Sequence, residues 1–248
     1  LALAGFQDRH GHRLTYLVQL DRVLSAQYRK YRQKELPAPE MQQLHHLFSK
    51  RGNAYFDRAD YEQAVAAYTT ALDLAYTVER RAMLLGLLGK SLRFLGDTVQ
   101  AAAHFQQAYQ VARTDENDFA LSFILEQEAH AAGYHADHQT ARRTAAEQVA
   151  LSEKLLQSEP SAANYLGLFC ALINLGAAEL NLGEQPLNAV LAIHQRAAAL
   201  TAKLQNEEMQ AHAAWALAEV YHALGDRQQT HHYLCQALTV YEAQGKLR

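Results

Sequence analysis

Residues 52–75 read GNAYFDRADYEQAVAAYTTALDLA. Two alanine-rich apolar runs meet at a short polar break, Arg58-Ala59-Asp60, and Gly52, Tyr55, Ala64, Tyr68 and Ala71 stand at fixed distances around it. A glycine inside a helix costs about 1 kcal/mol relative to alanine, and an alanine buries less apolar surface than a leucine. Their placement therefore points to close approach between two helices. Gly52 admits the backbone of the second helix, Ala64 and Ala71 are the matching small faces, and Tyr55 and Tyr68 are expected to fill the space between neighbouring helix pairs.

The break recurs along the chain. A second pair carries Gly89, Leu92, Gly96-Asp97, Ala101, Phe105 and Ala108; a fifth carries Ala218, Tyr221, Gly225-Asp226, Thr230, Leu234 and Ala237. A fourth keeps Gly176 and Leu182-Gly183, with its second helix shifted by one residue near Pro186, and a degenerate third aligns on Ala129, Ala132, Asp137 and Ala141. Ala64, Ala101 and Ala141 recur at spacings of 37 and 40 residues. Helix-turn-helix units of that length are the mark of α-solenoids, in which one pair cannot bury its apolar face alone and neighbours must stack.

On these residues the chain resembles the tetratricopeptide repeat family. That pattern asks for a small residue in the first helix, an aromatic three later, an alanine early in the second helix, then an aromatic and a further alanine. The first pair meets it in full, the second departs at Leu92, and the fifth departs at Thr230 and Leu234. The resemblance implies an all-α fold: a right-handed α–α superhelix of about five repeats, near 41–78, 79–115, 118–158, 161–205 and 206–246. Residues 1–40 precede it as a helical cap or a truncated repeat. There, Leu17, Leu20, Leu24, Tyr28 and Tyr31 keep helical spacing and Pro37 and Pro39 end the run.

Composition bounds the rest. The chain has 248 residues, 49% hydrophobic and 20% charged, with 4 Pro, enough for one elongated domain or two ordinary ones. A net charge of −3 argues against a general nucleic-acid binder. The one basic run, Arg29, Lys30, Arg32 and Lys34, stands near a predicted helix C-terminus, where cations favour the dipole. Two cysteines, Cys170 and Cys235, are expected as small core residues in a reducing, cytoplasmic setting. No apolar run approaches the ~20 residues of a membrane span. The Leu1 start and abrupt end lead to the expectation of a segment of a longer protein.

No catalytic constellation is found. His130, His135 and His138 cluster at a turn without the i, i+4 spacing of a helical zinc pair, while His45-His46 and His231-His232 are adjacent pairs pointing to different helix faces. Glu126 and Glu128 diverge on their helix. The expectation is a non-enzyme with no cofactor and no metal.

The resemblance instead implies a concave groove that binds an extended peptide or a partner helix. Its positions, carried onto this chain, are Asn53, Phe56 and Asp57 in the first pair and Lys90, Arg93 and Phe94 in the second. The third supplies Glu126, His130 and Tyr134, the fourth Ile173 and Asn181, and the fifth Trp215, Glu219 and His222. Asn53 and Lys90 are residue types of the carboxylate clamp of chaperone-binding relatives, but Leu87, Phe123 and Gln127 replace the rest of it. Repeats near 40 residues resemble the regulatory arrays of bacterial signalling and transcription-regulating proteins. The expected partner is a protein or peptide, not a membrane or nucleic acid. Alternatives are a sensor for a small ligand or peptide pheromone, and an oligomerisation scaffold pairing through Leu234, Leu238 and Tyr241.

Overall fold

The computed structural model describes Arg22, Leu24 and residues 37–243. Among these residues there are ten α-helices and no strands: α1 (Ala38–Phe56), α2 (Tyr61–Asp73), α3 (Val78–Phe94), α4 (Thr98–Thr114), α5 (Asp118–Tyr134), α6 (His138–Ser158), α7 (Ala162–Leu182), α8 (Leu187–Leu204), α9 (Glu207–Ala223) and α10 (Arg227–Ala243). The expected helix before Pro37 and its basic run lie outside the described residues, apart from Arg22 and Leu24; Leu24 is buried with Leu44, Leu47 and Phe48.

One local device, built on an aspartate, makes four of the nine turns between these helices. At Asp60, Asp97, Asp137 and Asp226 the backbone N–H donates to the carbonyl five residues earlier, on Tyr55, Leu92, Ala132 and Tyr221, at 2.9–3.0 Å. The residue before each aspartate is left-handed: Ala59 (φ 59°), Gly96 (φ 88°), Ala136 (φ 57°) and Gly225 (φ 78°). This is a Schellman stop. The same aspartate carboxylate then accepts from the N–H three residues on, at Gln63, Gln100, Thr140 and Gln229, and so starts the next helix as its N-cap. One residue thus ends a helix and begins the next, leaving consecutive helices as antiparallel neighbours.

The chain falls into two compact units, residues 1–124 and 125–248. In the first, α1 packs on α2, α2 on α3 and α3 on α4. Its core gathers Leu44, Phe48, Tyr68, Leu84 and Leu88, continued by Leu85, Phe105 and Ile124. In the second, α6 packs on α7, α7 on α8, α8 on α9 and α9 on α10, around Leu168, Phe169, Leu172, Ile173 and Ala216.

The helix glycines do something other than expected. A methyl group on Gly52 would overlap the Tyr68 ring, one on Gly89 would stand 3.0 Å from the Phe105 ring, and one on Gly176 would overlap the His194 imidazole. Each glycine is a seat for a ring from the second helix of its own hairpin. Tyr68 therefore fills a gap inside its own pair as well as joining the core cluster that includes Leu84 and Leu88 of the next pair. The seat also corrects the alignment at Pro186: glycine and ring are 16 residues apart in the first two hairpins and 18 at Gly176–His194, so α8 is shifted by two residues, because α7 runs further past its glycine before the turn.

Two further expectations change. Helix α7 is long and apolar enough to cross a membrane, with a mean hydropathy of 1.4. Here it is flanked by α6 and α8, and a helix covered on opposite sides is apolar nearly all round. Cys235 is exposed and Cys170 half-buried. Helix α10 fully buries only Ala237, with Tyr233, Val240 and Tyr241 partly buried beside it, and Cys235 lies on its exposed side.

Candidate functional site

In the first unit the expected residues stand at the ends of α1 and α3. Phe56 and Phe94 meet edge-on with centroids 5.1 Å apart. Tyr61, at the start of α2, completes a triad at 5.2 Å from Phe56 and 5.0 Å from Phe94. The Lys90 ammonium lies 4.5 Å above the Phe56 ring, a cation–π contact worth about 0.5–1 kcal/mol when exposed. Phe56, Lys90 and Phe94 are thus brought together, and Arg93 stands half-buried in the last turn of α3. Tyr61 was missed, although its place directly after the Asp60 cap sets it at the mouth of the hairpin.

Asn53 and Asp57 do other work as well. The Asn53 Oδ1 accepts a 2.6 Å hydrogen bond from the Tyr68 hydroxyl. Asp57 is the C-cap residue of α1. Burial first, and then the Asp57 charge, push the Tyr68 hydroxyl well above its ordinary range.

In the second unit Glu126, His130 and Tyr134 follow one stripe of α5, with Glu126 half-buried and Tyr134 68% exposed. On α9 the Trp215 indole N–H donates to Glu219 Oε1 at 2.9 Å, and Trp215 remains 39% exposed. Ile173 does not belong to a surface. It is 6% exposed, within the core beside Leu172 and Ala216, because α7 is covered on more than one side. The Asn181 amide folds back onto its own helix, donating to the Ala177 carbonyl at 2.8 Å.

His222 lines an open pocket of about 410 Å³ with Gly225, Arg227, Thr230, His231 and Leu234. Reading His231-His232 as a pair hid this: only His231 faces the pocket, while His232 Nε2 meets the Gln236 amide at 2.9 Å. Among the described residues no three His, Cys, Asp or Glu side chains gather as a metal site.

Residues 43–114 match the Tetratricopeptide repeat family. No curated protein sequence matches the chain. Solved structures share its fold. The crystal structure of BtubC from P. vanneervenii superposes with a TM-score of 0.67 at 16% identity, over 95% of this chain and 93% of that one. A Rap protein complexed with competence and sporulation factor gives 0.66 at 14% identity, over 98% and 69%. A signal transduction ATPase with numerous domains and a tetratricopeptide repeat sensor, from Pyrococcus horikoshii, gives 0.65 at 13%, over 98% of this chain and 41% of that one. The chain therefore has the all-α fold of tetratricopeptide-like repeat proteins, and residues 43–114 carry the repeat's sequence pattern.

Proposed function

We propose that the chain is a non-enzymatic module that binds a protein or peptide and serves as the regulatory or sensory part of a larger signalling or transcription-regulating protein of a bacterial type. The observation that carries this reading is Trp215. Its large ring is part-exposed yet held by Glu219, so it anchors a partner at little cost in side-chain entropy. Phe56, Lys90 and Phe94 offer an aromatic and cationic counterpart in the first unit, joined there by Asn53, Asp57 and Arg93. Glu126, His130, Tyr134, Asn181, Glu219 and His222 supply polar contacts in the second. Cys170 and Cys235 form no disulfide with one another, which fits a cytoplasmic setting.

The test selects peptides on the chain from a displayed library and measures their affinity by calorimetry for Trp215→Ala and Lys90→Glu. Binding weakened by one or both, with helicity retained, supports the reading; affinity unchanged in both removes these faces from the mechanism.

A second reading, a sensor for a compact effector, draws on the fold shared with a Rap protein complexed with a factor and with a tetratricopeptide repeat sensor. Thermal shift separates the two, since a bound effector stabilises by RT ln(1 + [L]/Kd). Short peptides and oligosaccharides that leave the melting temperature unmoved at millimolar concentration exclude the sensor.

A further inference from the structure

We propose that the pocket at the turn between α9 and α10 binds a carboxylate carried on an apolar body, and that it anchors an acidic or C-terminal residue of the chain's peptide partner. The inference rests on the peptide-binding reading only for the kind of molecule that carries the carboxylate.

The lining of the pocket is almost entirely donors and apolar surface. Arg227, His222 and His231 face it, Leu234 forms an apolar wall, and no carboxylate is among the lining residues. Arg227 is a permanent cation with five N–H donors in a planar fork. Among the described residues its guanidinium makes no hydrogen bond or ion pair. The nearest acid in sequence, Asp226, is engaged by the N–H of Gln229 at 3.0 Å. The Thr230 hydroxyl donates to the Asp226 carbonyl at 2.7 Å. Over Gly225 an added Cβ would meet nothing within 4 Å, so the floor of the turn is open to a ligand.

Helix stability does not explain the arginine. Arg227 is the first residue of α10, whose first turn holds no acid, and the helix dipole disfavours a cation there. A carboxylate seated against Arg227 reverses that penalty and takes up a planar two-pronged hydrogen bond. Leu234 meanwhile asks for an apolar group next to the charge. A volume of about 410 Å³ lies in the range of small-ligand sites and suits one residue of a peptide.

Three capped dipeptides test this on the whole chain by following the Gly225 amide and the His222 and His231 imidazole resonances: acetyl-Ala-Leu with a free carboxylate, the same peptide as its amide, and acetyl-Glu-Leu-amide. Saturable shifts from one or both acids, absent with acetyl-Ala-Leu-amide and weakened about tenfold or more in Arg227→Gln, support the pocket; the acid that binds identifies the source of the carboxylate. Lys203→Gln, an exposed change on α8, should leave the titration unaltered. Removing Arg227 also relieves the dipole, so the variant should fold at least as stably. Equal shifts from the amide, affinity unchanged by Arg227→Gln, or no saturable shift up to roughly 10 mM, weaker than the ~1 mM to μM scale of single-anchor contacts, overturns it. Loss of library-peptide capture with probe binding intact sinks the partner reading alone; the converse sinks the pocket alone.

Discussion

The Tyr68 hydroxyl donates to Asn53 Oδ1 at 2.6 Å, and the two ends of that bond sit in different surroundings. Tyr68 is 1% exposed, whereas Asn53 is open to solvent. Deleting one partner should therefore cost more than deleting the other. Asn53→Ala deprives a deeply set hydroxyl of its acceptor and should cost about 1–3 kcal/mol, while Tyr68→Phe leaves an asparagine that water can satisfy and should cost roughly 0.5–1.5 kcal/mol. Urea denaturation of both variants gives the comparison; equal losses would mean that the hydroxyl is solvated.

Gly52→Ala should destabilise the first hairpin even though alanine favours helix by about 1 kcal/mol. The new methyl group overlaps a ring that is itself 1% exposed, an overpacking penalty of about 1–3 kcal/mol. Gly89→Ala, whose nearest ring atom stands at 3.0 Å, should lose less. Thermal melts rank the two, and a Gly52→Ala variant as stable as the parent would refute the ring seat.

Ala59 and Ala136 hold φ of 59° and 57° where two other turns use Gly96 and Gly225. An L-residue in that region is strained by roughly 1–2 kcal/mol, so Ala59→Gly and Ala136→Gly should each raise stability by up to about 1 kcal/mol. Additive gains in the double variant, seen by calorimetry, are expected, since each turn lies within its own compact unit.

His194 occupies the seat held by Tyr68 and Phe105 elsewhere, 1% exposed and with neither ring nitrogen hydrogen-bonded. Desolvation by burial, with a smaller contribution from His212, lowers its pKa from 6.5 to about 4. Between those values the unfolded chain binds the extra proton, so the contribution of His194 is complete above pH 6.5 and is lost as pH falls toward 4. The size is about 3 kcal/mol. His45 and His212, both lowered chiefly by burial, act in the same direction. His194→Phe should raise the melting temperature at neutral pH and flatten its fall below pH 6.5; a parallel curve would exclude His194 as the titrating group.

Much was legible in the sequence because it is written locally. The recurrence of Gly or Ala, a polar break and an early alanine sets helix, stop, cap and helix within a dozen residues, and Asp60, Asp97, Asp137 and Asp226 perform both halves of that turn through their own backbone and side chain. All-α hairpins follow from periodicity and capping without knowledge of distant contacts. What a side chain touches across a hairpin does not. The ring over Gly52, the buried imidazole over Gly176 and the removal of Ile173 from any surface depend on which helices flank α1 and α7. Arg227, His222 and His231 share a pocket because a left-handed Gly225 folds α10 back beside α9, an arrangement that spacing alone leaves open. Local backbone chemistry specified the elements; the packing of neighbouring helices decided which of their side chains remain free to bind.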